Sequence, residues 1–196
     1  MSFSMDKSSI NNYFHSLFSI KDEVVEKITE SFNHFDLKSN TILLDQNTVS
    51  TKTYFLEKGY VRSYLLNEDN EEITTNIYAA PCFVNDFLSF FRQQPTKEIY
   101  QTITDCTFWE TGLENVQYNF HNIPEFREFS RLLFVLNYYN IHDRLIEMAS
   151  QKASTRYFNL MKKDPDIFQH VPLKVIASYL GIKDSSLSRI RRDINK

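Results

Sequence analysis

VPLKVIASYLGIKDSSLSRIRR, residues 171–192, organises the reading of everything before it. Ala177 is small where a first helix would be crossed closely by a second. Gly181 follows four residues later, where a turn needs a residue tolerant of positive φ. Ile176, Leu180, Ile182, Leu187 and Ile190 supply apolar positions that would clamp the two helices together. Arg189, Arg191 and Arg192 fall on or near the second helix. Two short helices at a steep angle, the second one basic, make a helix-turn-helix whose shape and charge suit the major groove of B-form DNA.

The charge distribution agrees with that reading. Net charge is −3 over 196 residues, but residues 1–149 hold 12 Lys and Arg against 21 Asp and Glu, a balance of −9. Residues 150–196 hold 10 against 4, a balance of +6. An acidic body (1–149) followed by a basic segment (150–196) is what a DNA-binding head on a separate sensor would show. Hydrophobic content of 42% and charged content of 24% are ordinary for a globular chain that can bury a core. No apolar run reaches the length of a membrane span, and the opening MSFSMDKSS lacks a signal-peptide core, so a cytoplasmic location without membrane partners is expected. Cys82 and Cys106 have neither a disulfide framework nor metal spacing, and are expected as small buried residues. His15, His34, His121, His142 and His170 show no ligand spacing, so no metal site is expected.

Residues 8–33 read as helical, with Val24, Val25, Ile28 and Phe32 on an apolar stripe. From 34 to 111 the texture changes to short Thr-, Ile-, Tyr- and Phe-rich strands at 35–38, 41–44, 53–58, 60–66, 73–78, 99–103 and 107–110. Seven or so antiparallel strands predict a jelly-roll barrel. Helical periodicity returns at 113–120. A long helix then opens at Pro124 and runs to about 149. Phe126, Phe129, Leu133 and Leu136 form one stripe on it, widened by Leu132, Val135, Tyr139 and Leu145. A helix apolar over so much of its circumference must bury two faces, one on the barrel and one on a second copy, so the first stripe is assigned to a homodimer seam. Burial inside one subunit is the alternative. Residues 150–154 read as a polar hinge, and 155–163 as a helix leading to the loop 164–171.

Helix, small barrel, long helix, hinge and helix-turn-helix in this order resemble the Crp/Fnr family of bacterial transcription regulators. Two segments carry the likeness: TYFLEKGYVRSYL at 53–65, a hairpin with Gly59 at its turn, and the more specific 171–192. The resemblance implies an α+β chain. It would have N-terminal helices, a double-stranded β-helix (jelly-roll) barrel, a long dimerisation helix and an all-α helix-turn-helix domain, here without a wing. It also implies a homodimer acting on near-palindromic double-stranded DNA, RNA polymerase as a further partner, and regulation rather than catalysis.

Nucleotide-binding members of that family hold a cyclic nucleotide in the barrel with a Gly-Glu pair, a short helix and an arginine. The Glu takes the ribose hydroxyl and the Arg the phosphate. The corresponding stretch is FVNDFLSFFRQQPTKEIYQTI, 83–103, with Asn85 for the Gly, Asp86 for the Glu, Thr96 at the arginine position and Lys97 beside it. Every key position departs from the pattern, and Phe87 opens a loop with three phenylalanines. Cyclic AMP, another small effector and an apolar plug all stay open as occupants. Alignment through the long helix places Asn140, Ile141 and His142 at the barrel mouth. In the head, Ser185, Ser186 and Arg189 are expected at base edges, and Lys174, Lys183, Arg191 and Arg192 at phosphates. Asp184 is expected as the N-cap of a recognition helix over about 184–195.

Two other classes are weighed against this. A cupin-like enzyme would want clustered His and Glu ligands on the strands, which hold only His34 near their start. A sensor that uses its helix-turn-helix as a protein contact would not need the basic C-terminal segment.

Overall fold

The N-terminal stripe expected as one helix folds as two. In the computed structural model, which describes residues 6–194, α1 (Ser8–Leu17) ends at an extended Phe18 and α2 (Asp22–Thr29) starts after an extended Lys21. The break folds Ile10 and Phe14 of α1 and Val25 and Ile28 of α2 into one core, which a straight helix could not do. The Lys7 ammonium donates to the carbonyl of Thr29, closing the end of α2. The first five residues of the expected signal-free N-terminus, and Asn195 of the expected recognition helix, lie outside the described residues.

Eight described strands follow: β1 (Asn33–Leu37), β2 (Ile42–Leu44), β3 (Lys52–Lys58), β4 (Tyr60–Leu66), β5 (Glu72–Ala79), β6 (Cys82–Val84), β7 (Ile99–Thr102) and β8 (Cys106–Gly112). They form two four-stranded antiparallel sheets, β1-β8-β3-β6 and β2-β7-β4-β5, the jelly-roll arrangement expected. The sequence reading missed β6, three residues long and entered through a cis Ala80–Pro81 bond. The first sheet is covered on both sides. Leu56 and Phe108 point into the sandwich, whereas their neighbours Phe55 and Trp109 point out beneath α1 and α2. The strand period of two places successive large side chains in separate cores.

The loop expected at 87–91 is a helix, α3 (Phe87–Arg92), because Asp86 caps it: its carboxylate accepts from the Ser89 amide at 2.9 Å. After β8 come α4 (Leu113–Asn122) and α5 (Pro124–Ser150), with Pro124 in the first turn as expected. A non-helical joint at Gln151 and Lys152 separates α5 from α6 (Ala153–Lys163), inside the expected hinge. The loop at 164–171 holds a short turn, α7 (Ile167–His170), and α8 (Leu173–Tyr179) and α9 (Asp184–Ile194) complete the head. Cys106 is buried as expected, but Cys82 is only partly covered. No described helix is long and apolar enough to cross a membrane.

Candidate functional site

The α8–α9 turn is built by Gly181. At φ +65° it lets the Gly181 amide donate to Ser178 O and the Ile182 amide to Ala177 O, both at 3.0 Å. That is the paired C-cap in which a left-handed residue ends one helix and re-aims the chain for the next. Ala177 is fully buried at the crossing, and Leu187 of α9 shares one core with Ile176 of α8 and with Leu180, the residue after α8. The opposite face of α9 is bare. Ser185, Arg189 and Arg192 recur at helical spacing and are exposed, with Ser188, which the sequence reading did not single out, beside them. Ser186 and Arg191 are half-buried on the flanks of that face, and Lys174 and Lys183 are exposed. Among the described residues none of these five cations enters an ion pair. Asp184 is the first residue of the helix and not its cap, so its carboxylate acts through the helix dipole alone.

The head sits on the barrel. The Thr74 amide of β5 donates to Ser178 Oγ (2.8 Å), which donates to Glu72 O (3.1 Å). Arg144 of α5 donates to Tyr179 O (2.9 Å) and Thr74 O (3.3 Å) while its guanidinium lies 4.0 Å from the Tyr179 ring centre. Burial lowers the Arg144 pKa. Tyr60, Ile77 and Ile103 extend the apolar core of the head into the barrel.

Between barrel, α5 and head lies a cavity of about 890 Å³. Asn85, Asp86, Phe87 and Asn140 line it, as does Ile141. Thr96 and Lys97 do not. Thr96 is buried with its hydroxyl accepting from the Glu98 amide (3.0 Å), and Lys97 is exposed. His142 is also a correction: it is exposed, stacked 5.7 Å from Tyr138, one residue off the barrel-facing row of Asn137, Asn140, Ile141 and Arg144. The reading missed Tyr78, Glu98, Tyr100, Arg144, Lys163 and Asp164 in the lining. Strand alternation around Tyr100 was the signal that could have found Glu98.

Tyr100 donates to Glu98 Oε2 at 3.0 Å, and burial foremost, with Tyr78, Glu98 and Asp86 nearby, pushes its pKa up. Burial pushes Tyr78 and Cys82 each up to about 12, so both stay neutral near pH 7. Asn85 Oδ1, Asp164 Oδ2 and Thr74 Oγ1 are buried without a hydrogen-bond partner among the described residues. The residues present do not fit a cyclic nucleotide: at the arginine position stands Thr96, turned away and already bonded. Among the described residues no cluster of His, Cys, Asp and Glu could hold a metal ion.

The dimer stripe is also re-assigned. Phe126, Phe129 and Leu133 are buried within the chain, Phe129 stacking 3.9 Å from Phe14, and only Leu136 of the four is exposed. The second half of α5 instead exposes Val135, Tyr138, Tyr139, Leu145 and Ile146.

Compared with known proteins, residues 34–118 match the cyclic nucleotide-binding domain family. No curated protein matches the chain by sequence. Among solved structures, the c-di-GMP responsive global regulator CLP of Xanthomonas campestris superposes with a TM-score of 0.71 at 15% identity, over 89% of this chain and 92% of that one. FixK2 of Bradyrhizobium japonicum gives 0.72 at 11%, over 84% of each chain. A transcriptional regulator ascribed to the Crp/Fnr family, from Eubacterium rectale, gives 0.67 at 14%, over 90% of this chain and 84% of that one. At such identities the likeness is one of fold, over 84–90% of this chain.

Proposed function

We propose that the chain is a homodimeric, sequence-specific DNA-binding transcription regulator of the Crp/Fnr type, with a barrel that senses a small effector, and not an enzyme. The observation that carries the reading is the bare face of α9. Arg189 and Arg192 lie exposed and outside any ion pair among the described residues, on a helix held at its angle by the Gly181 turn. Arg189 lies nearest the groove-facing centre and would make the bidentate contact to guanine, while Lys174, Lys183 and the flanking Arg191 meet phosphates. Dimerisation through the second half of α5 sets two such helices about one turn of DNA, roughly 34 Å, apart and calls for a near-palindromic site. RNA polymerase in the cytoplasm is the natural next partner of a regulator so placed.

The test is a salt titration of duplex binding by fluorescence anisotropy. Each neutralised phosphate steepens the fall of affinity with salt. Arg189→Ala is expected to flatten preference among sequences at a cost of about 1–3 kcal/mol on the best one. Arg192→Ala is expected to weaken all sequences alike and reduce the salt slope by about one. A wild-type affinity independent of salt would leave the head as a protein contact.

A further inference from the structure

We infer that the barrel cavity takes a small organic amine in its protonated form, held by Glu98 and Asp86 between aromatic walls, and not an anionic nucleotide. The inference rests on reading the barrel as the effector site and adds the chemical class of the effector.

Charge comes first. On the barrel side of the cavity the lining carries two carboxyl side chains, Asp86 and Glu98, and neither lysine nor arginine. The cations in the lining, Arg144 and Lys163, stand on the helices. Arg144 is spent on two backbone carbonyls and the Tyr179 ring, and Lys163 reaches Asn140 Oδ1 at 3.3 Å. Asp164 and Asp166 add two further acids at the head end. A phosphate entering the barrel would meet carboxylates on the barrel wall, with both cations standing on the helices, and pairwise repulsion grows as water is displaced. On the barrel wall an ammonium meets the opposite sign.

The unmet hydrogen bonds point the same way. Among the described residues Asn85 Oδ1 and Asp164 Oδ2 are buried acceptors without a donor, and the Glu98 carboxylate has one side-chain donor, Tyr100. A site short of donors is completed by a ligand rich in them, and an ammonium carries three donors and no acceptor. The walls are suited to a cation as well. The Tyr78 and Tyr100 rings stand 6.1 Å apart, tilted by 33°, and Phe83 and Phe87 also belong to the lining. Ring faces attract a desolvated cation and bury its hydrocarbon body. The volume of about 890 Å³ has room for more than an ammonium alone, so the amine carries an apolar or aromatic body.

The experiment uses the full-length protein and calorimetry with tyramine, putrescine, tyrosol and cyclic AMP. Tyrosol has the body of tyramine with a hydroxyl in place of the ammonium. Tyramine is expected to bind at least about tenfold more tightly than tyrosol, with no heat from cyclic AMP. Glu98→Gln and Asp86→Asn, each isosteric, are expected to weaken tyramine by roughly 10–100-fold, the range for removing a charge-assisted hydrogen bond. Asn at 86 can still cap α3, so that variant keeps the fold if Glu98→Gln does not. Equal binding of tyramine and tyrosol, unchanged affinity in both variants, no amine bound at millimolar concentration, or tight cyclic AMP each overturns the inference. DNA affinity and its salt slope are measured on the same ligand-free protein. A steep slope without amine binding sinks the ligand class alone. A flat slope sinks the regulator reading whatever the calorimeter shows.

Discussion

Gly59 and Gly181 both take positive φ, at +102° and +65°, but a methyl group would meet different obstacles at the two positions. At Gly181 the neighbour is the end of the flexible Met148 side chain, whereas at Gly59 a Cβ would sit 2.6 Å from the backbone oxygen of Asp105. Gly181→Ala should therefore cost about 1–2 kcal/mol, the price of a left-handed L-residue, and Gly59→Ala clearly more, because a backbone carbonyl cannot turn aside. Urea denaturation of the two variants checks the order; equal losses would mean that the Asp105 loop yields. Both glycines were legible in the sequence because little else fits such turns. The effector positions were less legible. Counting along 83–103 led to Asp86, which lines the cavity, but it could not show that the Thr96 hydroxyl is taken up by the Glu98 amide and that Glu98 itself stands in the lining.

At the scale of elements, α5 is two helices in one. Its first half gives Phe126, Phe129 and Leu133 to the core shared with α1 and α2; its second half leaves Val135, Tyr138, Leu145 and Ile146 open. Periodicity pointed to two apolar faces but not to which residues belonged to which, since the stripes overlap in sequence and separate only once α1 has chosen its side. Phe129→Ala should cost about 3–5 kcal/mol, as for a large aromatic deleted from a closed core. Leu145→Asp should leave folding intact and convert a dimer to a monomer in light scattering. A Leu145→Asp protein that scatters as wild type would move the seam elsewhere. The split between α1 and α2 and the three-residue β6 escaped the sequence for a related reason: each is set by what the segment packs against, not by its own pattern.

Across the whole molecule, burial of acids that are neutral when protonated sets the alkaline limit. Tyr13, Tyr54 and Tyr78 are each pushed up to about 12, chiefly by burial, as is the Cys82 thiol. Unfolding returns them to ordinary values, near 10 for the tyrosines and 9 for the thiol. The folded state therefore holds protons that the unfolded chain gives up between pH 9 and 12. The contribution of these groups should be fully present below pH 9 and be lost through that window, visible as a declining urea midpoint between pH 8 and pH 11. A flat midpoint would mean that these groups are wetter than the packing implies. Coupling between barrel and head is a separate matter, and Arg144 is where it concentrates: one guanidinium from α5 ties Thr74 of the barrel to Tyr179 of the head. Trp109, the one tryptophan, lies in the barrel and reports its unfolding by fluorescence, while far-ultraviolet dichroism reports the helices. The wild-type transitions should coincide, as for one cooperative unit. Arg144→Met keeps the aliphatic body and removes the donors, a loss of about 1.5–3 kcal/mol per charged hydrogen bond. The head would then rest on Ser178, on Tyr60 against Asp164 and His170, and on the apolar contacts of Ile77 and Ile103, and the dichroism transition should run ahead of the fluorescence one. If the two stay together in Arg144→Met, the apolar contact suffices to hold head to barrel, and the guanidinium serves to orient the head and not to fasten it.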